Sequence, residues 1–103
     1  MNRPVAVKWS TPALERVAEI SDYLDTLGDG MAEAWIDGLF AKMDEVAYTP
    51  RMGRVVPELE RDEVREVFYK QYRVIYRVDP SQLAVLTVRH MKQRLDEEQF
   101  GNS

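Results

Sequence analysis

Arg65, Arg73 and His90 are the residues of this 103-residue chain whose types could act together on a phosphodiester, with Arg54 and Glu58 a short way upstream. Cutting RNA without a metal requires a deprotonated 2′-hydroxyl, a stabilised phosphorane and a protonated leaving oxygen. Arginine suits the second task, because its planar fork matches phosphate and stays charged. An imidazole or a carboxylate serves the first or the third. Arg77 and Arg89 extend the basic set. Most of these residues lie in VREVFYKQYRVIYRVDPSQLAVLTVRHMK, residues 64–92, where Arg65, Lys70, Arg73, Arg77, Arg89 and Lys92 stand against only Glu66 and Asp79. A rigid support carrying arginine at this density is expected to hold an anion: nucleic acid, a phosphorylated substrate or an acidic protein partner.

Each of these residues also has a plainer role open to it. Arg65 could pair with Glu58, Glu60 or Glu63, and Arg73 and Arg77 could be solvated residues of one strand face. His90 shares strand parity with Leu86 and Val88, which suits a satisfied, partly buried histidine. Gly53-Arg54 stands out, since the glycine frees the backbone and the arginine has no evident structural task. Trp9, Trp35 and the methionines at helical spacing are expected in the core, as are Tyr72 and Tyr76 with their hydroxyls satisfied at an edge.

The elements that must position these groups can be read from periodicity. Val5–Trp9 is apolar at alternate positions and forms a first short strand. Ser10-Thr11-Pro12 then supplies an N-cap hydroxyl and an early proline. Leu14, Val17, Ala18, Ser21, Leu24 and Leu27 follow at three- and four-residue steps, predicting an amphipathic helix. Gly28-Asp29-Gly30 turns the chain into a second helix with Met31, Trp35, Leu39, Met43 and Val46 on one stripe. Gly38 costs about 1 kcal/mol there relative to alanine, a cost that close approach of the first helix would explain. After Thr49-Pro50 and a connector over 51–62, period-2 alternation marks three strands near 64–69, 72–78 and 83–90, joined by hairpin loops. Tyr72, Val74, Tyr76 and Val78 point one way and Arg73, Ile75 and Arg77 the other. The expected fold is α+β in two layers, β-α-α-β-β-β. The helical hairpin from about 11 to 48 packs on one face of an antiparallel sheet made by the last three strands, and the opposite face shows arginine.

Composition narrows the function classes. One domain spanning 1–103 is expected, with an ordered core over about 4–95 and a frayed or disordered tail over 96–103. Without cysteine and with one histidine, disulfides and a zinc site are excluded, and no metal or cofactor is expected. No apolar run is long enough for a membrane span or a signal peptide, which points to the cytoplasm. The net charge of −4 hides a split. Residues 1–49 carry four basic and nine acidic residues, a charge of −5, and residues 64–94 carry seven basic and two acidic, a charge of +5. That asymmetry favours one electropositive working face.

Four segments in order resemble the RelE/ParE superfamily of bacterial type II toxins. WSTPALERVAEISDYL is similar to the family's strand-to-helix opening and TPRMGRVVPEL to its P-x-x-GR-x-x-PEL connector. VREVFYKQYRVIYRV resembles its R-E…YR-I-x-Y strand pair, and LAVLTVRH its last strand. The resemblance covers about residues 5–94. It implies a growth-arresting toxin, of the kind associated with plasmid stabilisation, encoded beside a labile, acidic antitoxin that wraps it with an amphipathic helix and an extended segment. It also implies one of two activities. RelE-like members cleave mRNA in the ribosomal A site; ParE-like members block DNA gyrase and need no catalytic group.

By position in the motif, Arg65 and Arg73 match phosphate-binding residues of the nuclease branch, and His90 lies near its proton-transfer residue. Against that branch stand a pI near 5.0, which opposes encounter with ribosomal RNA, a connector without lysine, and the absence of the branch's C-terminal aromatic, Phe100 alone lying near. The ParE-like branch is therefore expected, with Arg54, Glu58, Arg65, Arg73, Arg77 and Arg89 contacting target or antitoxin, and the ribosome-dependent nuclease as the alternative.

Overall fold

A computed structural model describes residues 3–92; the expected tail from 96 lies outside them. Strand β1 (Ala6–Trp9) leads into helix α1 (Thr11–Asp25), and α2 (Met31–Val46) follows. A 3-10 turn, Pro50–Met52, and a two-residue strand β2 (Arg54–Val55) precede β3 (Val64–Tyr69), β4 (Tyr72–Val78) and β5 (Gln82–His90). The sheet has five strands in the order β1-β5-β4-β3-β2, parallel between β1 and β5 and antiparallel elsewhere. The expected order therefore holds with β2 added, and the sheet is wider than its last three strands.

The start of α1 is fixed by Ser10, whose hydroxyl accepts from the Ala13 amide at 3.1 Å and donates to the Leu86 carbonyl at 3.1 Å. That one side chain caps the helix and ties it to the edge of β5, where β1 has already ended. Arg16 continues the seam, its Nε donating to the Val88 carbonyl at 3.1 Å. The buried stripe of α1 is Ala13, Val17 and Ile20, with Leu24 packed partly against the core. The expected stripe was one residue out of phase at its start, for Leu14 is exposed, as is Leu27 at the far end. On α2, Trp35, Leu39, Met43 and Val46 are buried as expected, but Met31 is not. These helices meet Val67, Val74, Tyr76, Leu83, Val85 and Val88 of the sheet.

The other sheet face departs from expectation. Val56 and Leu59 of the connector cover Val64 and Ile75, with Leu86 at the margin, and form a second, smaller core. The connector is thus a partial third layer, and the face expected to display arginine is half roofed. A register shift at Ile75/Tyr76 leaves Tyr76 opposite Val85 and Ile75 opposite Thr87, so Leu86 is the extra residue of a β-bulge. The bulge reverses the alternation along β5. Leu86 joins the connector side while Val88 stays with the helices, so the parity read from sequence across 86, 88 and 90 does not hold.

Gly38 has a different neighbour from the one expected. A methyl group there would overlap the Tyr69 hydroxyl of β3, not α1, and that hydroxyl donates to the Trp35 carbonyl at 2.9 Å. Replacing a helix-interior glycine by alanine ordinarily stabilises by about 1 kcal/mol. Here Gly38→Ala is expected to lower the urea midpoint instead, because it displaces Tyr69 from its acceptor. In a Tyr69→Phe background, with hydroxyl and hydrogen bond both gone, the same substitution should cost measurably less.

Candidate functional site

The connector-side face is organised by Arg73, near the start of β4. Its side chain is only 6% exposed, and it is saturated by two carboxylates. Nε donates to Glu66 Oε1 at 2.7 Å, Nη1 to Glu58 Oε2 at 2.8 Å and Nη2 to Glu58 Oε1 at 2.9 Å, with Nη2 also 2.6 Å from Glu66 Oε1. Glu66 is fully buried and takes its second guanidinium from Arg54, whose Nε lies 2.5 Å from Oε2. Hydrogen bonding to Glu58 above all, and then to Glu66, raises the Arg73 pKa further against the opposing effect of burial. Two cations and two anions therefore balance. Such a cluster is stable only while every member is present, since one uncompensated buried charge costs about 3–5 kcal/mol.

Arg54 has a structural task after all, then, and its half-exposed guanidinium also lies 5.1 Å from the centre of the exposed Phe68 ring. Gly53 is needed for close approach, with its backbone in an ordinary extended conformation. A Cβ there would come within 2.5 Å of the Tyr76 hydroxyl and 2.6 Å of the Glu66 carbonyl. The fully buried Tyr76 hydroxyl accepts from the Gly53 amide at 3.1 Å and donates to the Pro50 carbonyl at 2.7 Å. Burial chiefly raises its pKa.

Arg65 pairs with none of the three glutamates considered from sequence. Nη2 meets Asp62 Oδ1 at 2.7 Å, Nε the Asp62 carbonyl at 2.8 Å and Nη1 the Gly53 carbonyl at 3.1 Å. Arg51 closes on the other Asp62 oxygen at 2.6 Å. Arg51 first, and then Arg65, holds the Asp62 carboxyl below the usual range. Arg77 pairs with Asp79 at 2.7 Å at the start of the β4–β5 turn. Arg89 lies opposite Arg73 on the neighbouring strand; burial, and then the nearby Arg16, lowers its pKa.

His90 is on the helix side. Its ring stands edge-on to Tyr72 at 5.6 Å between centroids, and Nδ1 accepts from the Lys92 amide at 3.2 Å. It borders a shallow hollow with Arg16, Glu19, Ile20, Tyr23 and Tyr72. Arg65, Arg73 and His90 are not brought together. Arg73 faces the connector, while Arg65 lies opposite Tyr76 and His90 opposite Tyr72. Four residues of β4 separate those two positions, about 13 Å at roughly 3.3 Å per residue. Among the described residues no group of three or more His, Asp or Glu is placed to hold a metal ion.

The sequence reading missed Glu66 and Asp62 as the anions that neutralise the basic strands, and it missed a groove at the turn end of the helical hairpin. Tyr23, Leu24, Leu27, Met31, Trp35 and Tyr72 line a hollow of about 440 Å³, with Lys70 at its rim. Tyr23, Leu27 and Met31 are each more than two-fifths exposed there. Apolar residues in the turn-proximal ends of both helices were the available signal, but they were assigned to the buried stripes.

A sequence profile described as ParE toxin of the type II toxin–antitoxin system parDE matches residues 7–95. No curated protein matches the sequence. Among solved structures, the chain is similar to the chromosomal ParDE toxin–antitoxin system from P. aeruginosa, with a TM-score of 0.69 and 18% identity over 84% of this chain and 95% of that one. It is also similar to the RelBE2 toxin–antitoxin complex from Mycobacterium tuberculosis, with a TM-score of 0.55 and 22% identity over 85% and 99% of the two chains. An E. coli RelE variant in the free state gives a TM-score of 0.54 and 19% identity over 87% and 86%. These likenesses establish the α+β fold of two helices on a mostly antiparallel sheet.

The depressed carboxyls set a pH dependence. Arg51 and Arg65 hold the Asp62 carboxyl, and Arg77 the Asp79 carboxyl, below the usual carboxylate range. Each therefore contributes stability that is present above the unfolded pKa and lost as pH falls through the folded value. Urea midpoints should be level from about pH 7 to 5 and fall below about pH 4, and Asp62→Asn should flatten part of that fall.

Proposed function

Because the chain belongs to the ParE toxin family of type II toxin–antitoxin systems, we propose that it arrests growth through a protein–protein contact with DNA gyrase and without cutting RNA. Family membership gives the coarser part: the protein is the toxin of such a pair, and a cognate antitoxin is its partner. The single observation that carries the choice of branch is the spatial separation of Arg65, Arg73 and His90. Acid–base cleavage needs its groups within hydrogen-bond reach of one phosphate, and here they lie on two faces and at two ends of the sheet. The donors of Arg73 are directed at Glu58 and Glu66, and those of Arg65 at Asp62 and Gly53. A pI near 5.0 also opposes docking on ribosomal RNA. Inhibition of an enzyme by contact requires none of these groups, only a complementary surface.

The partly exposed Arg54, with Phe68 beside it, and the partly exposed Arg77 are the best placed of the expected contact residues to meet such a target. Glu58, Arg65 and Arg73 hold the connector that carries this surface, and Arg89 lies across β4 from it, opposite Arg73. The antitoxin is proposed to seat an apolar helix in the hollow between the hairpin end and the β3–β4 turn, burying upward of about 1,200 Å² in total. The acidic complement expected opposite the sheet arginines is not required there, because Glu58, Glu66 and Asp62 already neutralise them from within. Among the described residues no helix is long and apolar enough to cross a membrane, and a gyrase-directed action places the protein in the cytoplasm.

Purified toxin should inhibit supercoiling by gyrase and accumulate cleavage complexes, while a purified translation system shows no new A-site cuts. His90→Gln should leave growth arrest within about twofold of wild type. Loss of a general acid or base ordinarily costs at least about 10²-fold, so A-site cleavage abolished by His90→Gln would replace this proposal with the ribonuclease.

A further inference from the structure

The polar groups of the core are nearly all satisfied: the Tyr76, Tyr69 and Ser10 hydroxyls each reach a backbone carbonyl. Trp35 differs. It is 95% buried on α2, with its indole edge-on to Tyr72 at 5.2 Å and tilted over Tyr69 at 5.9 Å. Its Nε1 is enclosed, and it has no acceptor among the described residues. An indole nitrogen can only donate, and a buried donor without an acceptor costs stability that a partner can return by supplying one. Trp35 also lines the hollow between Leu24, Leu27, Met31 and Tyr72, so the residue that carries this unmet donor forms part of the groove assigned above to the antitoxin.

We propose that Trp35 is the specificity-determining residue of that groove, selecting a partner helix that brings one side-chain acceptor, a carboxamide or a carboxylate, among its apolar residues. This rests on the antitoxin reading of the groove. The acceptor comes from a side chain because the carbonyls along a helix are engaged internally. A purely apolar helix would fill the same volume and leave the N–H unmet. A site that expects a hydrogen bond rejects a ligand lacking it far better than shape does, so the orphan donor separates the cognate antitoxin from other amphipathic helices. Lys70 at the rim, its ammonium 5.8 Å from the Tyr69 ring centre, favours acidic character in the same segment. Nε1 is closed off in the free protein, so the side chains that enclose it must shift to admit the acceptor.

The test measures two quantities on full-length toxin: thermal stability of the free protein, and Kd for the purified cognate antitoxin. Two variants are used, Trp35→Phe and site-specific replacement of Trp35 by 3-benzothienylalanine, which keeps the ring size and removes the N–H. The benzothienyl variant should be at least as stable as wild type when free, yet bind the antitoxin about tenfold more weakly, the loss of one hydrogen bond. Trp35→Phe should show the same weakening on top of any packing loss. In the wild-type complex the Trp35 indole proton should move downfield and gain protection from exchange. A role in packing alone predicts an unchanged Kd for the benzothienyl variant, and that result overturns the inference. Leu27→Asp and Met31→Asp separate the two readings. If they abolish binding while the benzothienyl variant binds like wild type, only the role of Trp35 falls; if they leave Kd unchanged, the groove is not the antitoxin site and both fall.

Discussion

Arg73 lies on the central strand of the sheet, with neighbours on both sides, and its guanidinium is withdrawn from water. A charge in that position must be matched in place. Glu66 on the adjacent strand supplies one carboxylate, and Glu58 reaches it only if the connector folds back over the sheet. That return path brings Val56 and Leu59 onto Ile75 and makes the second core. It aligns Arg54 and Val55 beside β3 as a fifth strand. It also carries Gly53 so close to Tyr76 and Glu66 that no side chain fits. The features that distinguish this molecule from a plain helical hairpin on three strands thus follow from neutralising one arginine.

The same pairing changes what the charge distribution means. Counted along the sequence, residues 64–94 carry +5. In space, Glu58 and Asp62, both outside that window, enter from the connector, and each closes on a strand arginine. Charge summed over a sequence window misses anions that arrive from outside the window. A face that looks electropositive on paper is largely compensated, so it is better suited to shape-dependent protein contact than to holding a polyanion. Uncovered apolar surface lies instead on the helix side of the sheet. There Tyr23, Leu27 and Met31 remain uncovered around a hollow floored in part by a tryptophan whose N–H is unmet.

What the sequence disclosed is what short-range periodicity encodes. The β3 and β4 spans, the helical hairpin, the Ser10 cap and the division of Val74 and Tyr76 from Arg73 and Ile75 are all local patterns, and they appear where expected. Failures came where a distant element decides. The phase of α1 depends on how Ser10 and Arg16 tie it to β5, which favours Ala13 over Leu14 inside. The Leu86 bulge inverts an alternation that looked regular in sequence. Gly38 answers to Tyr69, thirty-one positions away in the sequence. The candidate site was legible as residue types but not as partners: Arg54, Glu58, Arg65 and Arg73 stand out in the sequence, while which carboxylate engages which arginine is decided by non-local pairing and by strand register.

The central claim is that the motif arginines build the frame and do not bind an anion. It is tested most directly by replacing the charged cluster as a unit and measuring stability and growth arrest together. Arg73→Met alone should cost about 3–5 kcal/mol, because Glu58 and Glu66 lose their common partner. Adding Glu66→Met and Glu58→Leu should recover most of that stability, since apolar replacement of the buried members of an ion cluster is often near neutral and the half-exposed Arg54 stays hydrated. The triple variant should then still arrest growth when expressed without its antitoxin. A triple variant that folds as stably as wild type but has lost toxicity would contradict the account and make Arg73 a functional group in its own right.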